Sequence, residues 1–249
     1  MLELLWSLSV HRINMRYKES FFGFGWILLQ PVALTIVFTY IFQKYAPLPV
    51  DVPYPLFSAT GLVVWTMTTL VVGQSAISIS GQTSLLKRIF FPKLLLPLSA
   101  VLAAIADLVV MLGLLVVLYL HYHISLSWNL LWIPFLFTFH LLLLVGLSCI
   151  ISVTTVFFRD VGHALPSLLQ IWFFASPVFY PSSMVPQEFR TLAQWNPMTG
   201  LIEGYRAAFL LGQAPPLDLL ASATLSIGLI FLFGLAYFYW LERTLTDIL

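Results

Sequence analysis

The stretch Leu94-Leu-Leu-Pro-Leu-Ser-Ala-Val-Leu-Ala-Ala-Ile-Ala-Asp107-Leu-Val-Val-Met-Leu-Gly-Leu-Leu-Val-Val-Leu-Tyr119 carries one charged side chain, Asp107. It exceeds the ~20 residues that a helix needs to cross a hydrocarbon core of about 30 Å, so it reads as a membrane span. The rest of the chain has the same character. Of its 249 residues 60% are apolar and 8% charged, where a soluble domain runs at about 25% charged, or roughly 62 side chains. The 11 basic and 10 acidic residues present cannot build a water-facing surface. A soluble globular protein is excluded.

At about 20 residues per helix the apolar material suffices for about six spans. We place them at residues 25–45, 56–80, 94–119, 130–157, 165–180 and 217–240 of an all-α integral membrane protein, a single domain over residues 1–249. The links leave no room for a folded soluble domain of ~100 residues. Any energy-coupling domain is therefore expected on another polypeptide. The net charge of +1 comes with no acidic or basic tail and points to no nucleic-acid partner. Cys149 stands alone in an apolar run, so it can form neither an intrachain disulfide nor a Cys-only metal site.

Residues 1–22 do not read as a cleaved signal peptide, because the basic residues follow the apolar run instead of preceding it. As a helix, Trp6, Val10, Ile13 and Tyr17 share one face and Arg12, Arg16 and Glu19 the opposite one, the pattern of a helix in the membrane interface. Leu5 and Leu8 fall toward the polar side and are free to meet a partner protein. The fifth span is short and holds Pro166 and Pro177, so a bend is expected at its end. Residues 181–216 carry Glu188, Arg190, Glu203 and Arg206 and cannot face lipid. They suggest two short helices re-entering the outer surface, turned at Trp195-Asn196-Pro197. Glu203 and Arg206, three apart, can pair on one helix face.

With both termini inside, the cytoplasmic side holds Arg12, Arg16, Lys18, Lys87, Arg88, Lys93, Arg159 and Arg243, against Lys44, Arg190 and Arg206 outside. The positive-inside rule favours this orientation.

Catalytic and ligand motifs are scarce. No G-x-x-x-x-G-K-[ST] P-loop occurs, so the chain does not itself bind ATP in the usual way. Gly23-Phe-Gly25 lacks the third glycine of a dinucleotide fingerprint. His121 and His123, two apart, would point to different faces of a helix and do not make a metal site. Asp107 sits mid-span, where a carboxylate costs about 2.5–3.5 kcal/mol on insertion scales. It reads as a polar packing group bonded to a neighbouring helix, with a substrate or proton contact as the alternative. Aromatics gather in the first span (Phe38, Tyr40, Phe42) and the fifth (Trp172, Phe173, Phe174, Phe179, Tyr180). Ring faces suit the apolar C–H surface of a sliding sugar polymer; lipid contact or an interface belt is the commoner use.

Four stretches, Arg16-Tyr-Lys-Glu-Ser-Phe-Phe-Gly-Phe-Gly-Trp26 into Gln30-Pro31, Leu85-Leu-Lys-Arg-Ile-Phe-Phe-Pro-Lys93 with Leu96-Pro97-Leu-Ser99, Phe158-Arg-Asp-Val161, and Phe174-Ala-Ser-Pro-Val-Phe-Tyr-Pro181 before Trp195-Asn-Pro197, carry a family resemblance. In this order the chain resembles the membrane subunit of an ABC-2-type exporter, most closely the Wzm-type permeases of O-antigen and related lipid-linked polysaccharides.

The resemblance implies a homodimer that recruits two copies of a separate ATPase. ATP and Mg would sit on the partner and no cofactor on this chain. It implies that residues 81–93 form the coupling segment that docks on the ATPase. Leu85, Leu86, Lys87, Arg88, Ile89, Phe90, Phe91 and Lys93, with Arg159 and Asp160 from the second cytoplasmic link, are the coupling candidates. Phe90 and Phe91 would fill an apolar pocket of the partner. The aromatics above would line a channel between protomers, and Trp195, Asn196, Glu203 and Arg206 would belong to an external gate. Arg16 and Lys18 are candidates to meet the pyrophosphate of an undecaprenyl carrier. The implied setting is the bacterial inner membrane. An ABC-2 exporter of teichoic acid, lipid or drug, a membrane-embedded transferase and a secondary transporter are the rival readings. The scattered acids disfavour the transferase, and the lack of paired intramembrane charges disfavours the secondary transporter.

Overall fold

The computed structural model describes residues 1–18, 20–82 and 91–248, of which 243 and 245–248 by backbone alone. Among the described residues every regular element is helical: α1 Leu2–Tyr17, α2 Gly25–Lys44, α3 Tyr54–Ala76, α4 Leu95–His121, α5 Trp132–Phe157, α6 Arg159–Phe174, α7 Arg190–Trp195, α8 Pro197–Phe209 and α9 Leu217–Ile248. Short 3-10 turns join some of them. Proline and asparagine mark the starts. Pro53 and Pro55 open α3, where a missing N–H costs least, and Asn196 caps α8 just ahead of Pro197.

Among the described residues five helices are long and apolar enough to cross a membrane: Gly25–Lys44, Tyr54–Ala76, Leu95–His121, Trp128–Phe157 and Leu217–Glu242. The stretch expected as a fifth span over 165–180 differs. Its helix starts earlier, at Arg159, takes Arg159 and Asp160 into its first turn, and stops at Phe174. Sixteen residues rise only about 24 Å, and the chain then turns through Pro177 instead of continuing.

α3 is the hub, packed by α2, α4, α5, α6 and α8, and its Ser, Thr and Gly side chains let those neighbours come close. The tightest crossing joins α5 and α9. A Cβ on Gly146 would stand 2.8 Å from the Ile230 carbonyl oxygen and the Phe231 Cα, and Gly234 meets the Gly146 backbone in return. Because lipid is as apolar as the side chains, such contacts are held by dispersion, and closeness decides their strength.

α1 corrects the sequence-based expectation of its polarity. Leu5 and Leu8, expected to face a partner, pack with Ile79, Leu96, Cys149, Val153 and Phe238 of the chain's own core, while Trp6 is 69% exposed. The arginine face points inward too. Arg12 donates through Nε to Ser99 Oγ at 2.7 Å, and burial lowers the pKa of its guanidinium, with Arg16 adding to the effect. Arg16 is ion-paired with Asp107, and Tyr17 donates its hydroxyl to the same carboxylate at 2.8 Å. Asp107 thus has its counter-charge in α1, a helix that the sequence reading turned the other way.

Gly146→Leu should wedge α5 from α9 and cost about 1–3 kcal/mol or more as overpacking. Gly113→Leu, with nothing within 4 Å of its Cβ position, should be neutral. Thermal unfolding in detergent, followed by size-exclusion chromatography, reads both.

Candidate functional site

The site is organised by a cation. Arg206 on α8 is 2% exposed, and a guanidinium so placed needs acceptors all round. It finds them where the chain leaves α6. Nη1 donates to the carbonyls of Pro177 at 2.7 Å and Tyr180 at 3.4 Å, and Nη2 to that of Val178 at 2.6 Å. Nε and Nη2 both reach the Phe57 carbonyl at 3.4 Å. Glu203, one helical turn back, supplies the balancing carboxylate at 3.2 Å and accepts from the Ser182 amide at 3.1 Å. The Phe57 ring lies 3.5 Å from the guanidinium carbon, a cation–π contact. Burial pushes the Arg206 pKa down to about 10, with Glu203 opposing the shift. It stays charged at neutral pH. Gly61 is required beneath it, since a Cβ there would come 2.9 Å from Arg206 Nη2.

The clamp sets the position of Phe179. Its ring stacks on Phe38 of α2 at 4.8 Å between centroids and on Phe42 at 6.0 Å. It also touches Phe173 at 5.7 Å and Phe174 at 5.8 Å. Tyr54, at the start of α3, packs on Phe42 at 5.5 Å and donates its hydroxyl to the Phe179 carbonyl at 2.8 Å. Tyr180 follows edge-on to Phe179 at 5.1 Å. The expected first-span and fifth-span aromatics therefore form one wall, with one departure. Tyr40, between Phe38 and Phe42 in sequence, is 54% exposed on another face of α2, against Tyr45 and Lys44.

Beside the wall opens a groove of about 1010 Å³, lined among others by Phe42, Trp172, Phe174, Phe179, Tyr180 and Trp195. Its far side is the α7–α8 hairpin, which breaks at Asn196 as expected. Asn196 Oδ1 accepts from the Met198 amide at 3.1 Å and from the Trp172 indole at 3.0 Å, while its Nδ2 donates to Ser176 Oγ at 2.9 Å. One side chain thus caps α8 and ties it to α6. Ser226 Oγ donates to the Trp195 carbonyl at 2.8 Å, joining α7 to α9. Of the external candidates, Glu203 and Arg206 brace the groove from behind, and Trp195 and Asn196 line it.

Among the described residues the coupling and pyrophosphate candidates do not gather in one place. Leu85, Leu86, Lys87, Arg88, Ile89 and Phe90 lie outside the described residues. Phe91 is buried in the chain's own core instead of being open to a partner, and Lys93 donates to the Glu242 carbonyl at 3.1 Å. Arg159 and Asp160 are exposed in the first turn of α6. Arg16 is held by Asp107, and Lys18 is exposed. The sequence reading passed over His140, which is 2% exposed and hydrogen-bonded to Thr68 Oγ1 at 2.9 Å. Its mid-span position was a signal of the same kind as that of Asp107. Among the described residues no cluster of three His, Cys, Asp or Glu side chains could hold a metal.

Arg206→Met should leave the buried carbonyls without donors and Glu203 without its cation. A loss of about 3–5 kcal/mol is expected for breaking such a buried pair. Arg206→Lys should restore little, because an ammonium cannot span the fork. Melting temperatures of the detergent-purified variants test this; a Met variant as stable as the wild type would refute the clamp.

Residues 3–210 match the family described as ABC-2 type transporter. Among similar proteins are an O-antigen export system permease protein RfbA of Myxococcus xanthus, 32% identical over 91% of this chain and 88% of that one, and one of Klebsiella pneumoniae, 28% identical over 84% and 81%. The polysialic acid transport protein KpsM of Escherichia coli is 24% identical over 88% of this chain and 87% of its own. With the family match covering most of its length and the helical architecture in agreement, the chain belongs to the ABC-2 type transporter family.

Proposed function

We propose that the chain is the permease of an ATP-driven exporter that moves a lipid-linked polysaccharide across the bacterial inner membrane. The carrying observation is the continuous aromatic cluster of Phe38, Phe42, Phe173, Phe174 and Phe179, of which Phe42, Phe174 and Phe179 line the groove. A polymer that must slide needs a surface that binds weakly everywhere and deeply nowhere. Ring faces do this for pyranose C–H groups, whereas a row of charges would trap or repel. The two kinds of relative, named for O-antigen export and for polysialic acid transport, support a wall that tolerates unlike sugars.

The wall is half a conduit. α2 buries few of its side chains within the chain and leaves Trp26, Leu29, Ile36, Val37 and Ile41 exposed. A second copy related by a two-fold axis would oppose α2 and α6 to their equivalents and close the path. In this arrangement α6 with the turn to Tyr180 counts as the shortened fifth of six spans, and the α7–α8 hairpin re-enters the external surface as its lid. Both termini then lie in the cytoplasm. Two copies of a separate ATPase, with ATP and Mg, dock on the coupling segment 81–93 together with Arg159 and Asp160, and closure of the ATPase dimer shifts the protomers between two packed states. An exporter of teichoic acid, lipid or drug is the second reading, favoured by the apolar rather than hydroxyl-rich lining of the groove.

The double variant Phe38→Ala/Phe179→Ala should lower surface polysaccharide about tenfold or more, as expected for stacking contacts worth about 0.5–1.5 kcal/mol each along a repeated path. Tyr40→Ala, off the wall, should export normally. Both are read in a deletion strain by immunoblot of surface glycan, with membrane levels of the permease matched. Normal export by the double variant would remove the wall from the path.

A further inference from the structure

A separate cavity of about 420 Å³ lies between α3, α4, α5 and α8 and shares no lining residue with the groove beside the aromatic wall. Three polar side chains line it, Thr60, His140 and Tyr205, and no charged one; the rest of the lining is apolar. Val109 and Leu112 of α4 and Pro134 of α5 both line it and are exposed on the outside of the bundle. The cavity therefore opens toward lipid, between α4 and α5. Its volume falls near the lower end of the ~300–1,000 Å³ of small-ligand sites.

Hydrogen-bond accounting leaves two of these polar groups unfinished. The Thr60 hydroxyl is spent on the Leu56 carbonyl at 2.9 Å. His140, 2% exposed, has Nε2 2.9 Å from Thr68 Oγ1. That hydroxyl has one proton, which it donates to the Val64 carbonyl at 3.0 Å, so it meets the imidazole as an acceptor. The ring proton is thereby assigned to Nε2, and Nδ1 is left as a bare acceptor. Among the described residues nothing donates to Nδ1. The Tyr205 ring lies 6.5 Å from that of His140 between centroids, and no described group accepts from its hydroxyl. An acceptor and a donor thus face one apolar space at membrane depth, where a polar group without a partner is costly.

From this juxtaposition we infer that the cavity binds an uncharged single-chain lipid bearing a hydroxyl, a long-chain alcohol. Its hydroxyl donates to His140 Nδ1 and accepts from Tyr205, while its chain lies along Ile105, Leu108 and Leu112 and leaves through the mouth at Val109. A phosphate or carboxylate head finds no cation in the lining. A plain hydrocarbon fills the apolar part and leaves both polar atoms unpaired. A water molecule needs about two to four polar partners, so Nδ1 and the Tyr205 hydroxyl can hold one, and the remainder of the cavity offers it nothing. A hydroxyl on an apolar chain answers both parts. Tyr205 precedes Arg206 on α8, so the occupant ties the helix that carries the clamp to α5.

The test uses the full chain in lipid nanodiscs and a hexadecanol that carries a photoreactive diazirine in its chain. Irradiation followed by peptide mass spectrometry should place adducts on α4, α5 and α8 beside the cavity. Unlabelled hexadecanol should compete about tenfold or more better than hexadecane or hexadecyl methyl ether, which has no proton to donate, as expected where a buried group is otherwise left unpaired. His140→Phe and Tyr205→Phe keep the apolar lining and should each remove most of that preference. Val109→Trp, at the mouth, should block labelling with both polar groups intact. Melting temperatures equal to the wild type's establish that the losses are not unfolding. Equal competition by the ether and hexadecane overturns recognition of the hydroxyl. A preference for the alcohol that survives in the folded His140→Phe and Tyr205→Phe variants overturns the assigned partners. Adducts absent from the cavity of the wild type, or undiminished in Val109→Trp, overturn the site. Export is not the readout, so each of these failures leaves the polysaccharide reading standing.

Discussion

The buried guanidinium of Arg206 is the constraint on which the functional surface depends. A helix that ends at Phe174 leaves carbonyls without partners, and the three at Pro177, Val178 and Tyr180 turn toward one point instead of toward water. A cation with a planar fork satisfies them together, and Glu203 neutralises it from the same helix. The cost of burying the charge is offset only while every acceptor is in place. The segment from Pro177 to Ser182 therefore has one arrangement, and in that arrangement the Phe179 ring lies against Phe38. A structure of backbone carbonyls thereby fixes an aromatic surface that touches α2, α3 and α6 at once.

The same economy of charge holds the end of the bundle that carries α1. Asp107 cannot face hydrocarbon, and Arg16 with Tyr17 covers it from α1. Arg12 adds bonds to Ser99 and to the carbonyls of Ser78 and Leu96. α1 is consequently part of the bundle, bound to α4 by charge and to the core by Leu5 and Leu8. The polar pairs act as pins at the two ends, and between them the helices rely on glycine-mediated closeness, as at Gly146 and Gly234. In the dimer proposed above, each copy would move as a unit, a rigid-body change of the kind that packed membrane domains allow.

Much of this was legible from residue types alone. Five of the six apolar runs, the break at Asn196-Pro197 and the Glu203–Arg206 pair follow from hydropathy, proline chemistry and helical spacing, and these are found where expected. That Phe38 and Phe42 share a face of α2 while Tyr40, two residues on, lies on another follows from i,i+4 spacing, but their packing on Phe179 does not. The orientation of α1 was misread for a physical reason. A moment points to the polar face without saying whether that face meets water or a buried acid, and only the position of Asp107 decides between them. The early start of α6 at Arg159 was hidden because charged residues are a poor guide to a helix end that lies outside the bilayer. What two arginines reach across 66 to 91 residues of sequence is not a property of any window.

The central claim is that the Arg206-positioned aromatic wall is the surface along which the polymer moves. Its most direct measurement is photo-crosslinking of a polysaccharide stalled in transit by depletion of ATP, with p-benzoylphenylalanine placed singly at Phe38, Phe42 or Phe179, and at the exposed Phe135 and Phe233 as controls. The account predicts glycan adducts at the first three positions and none at the controls. Adducts absent from Phe38 and Phe179, or equal at Phe135, would contradict it.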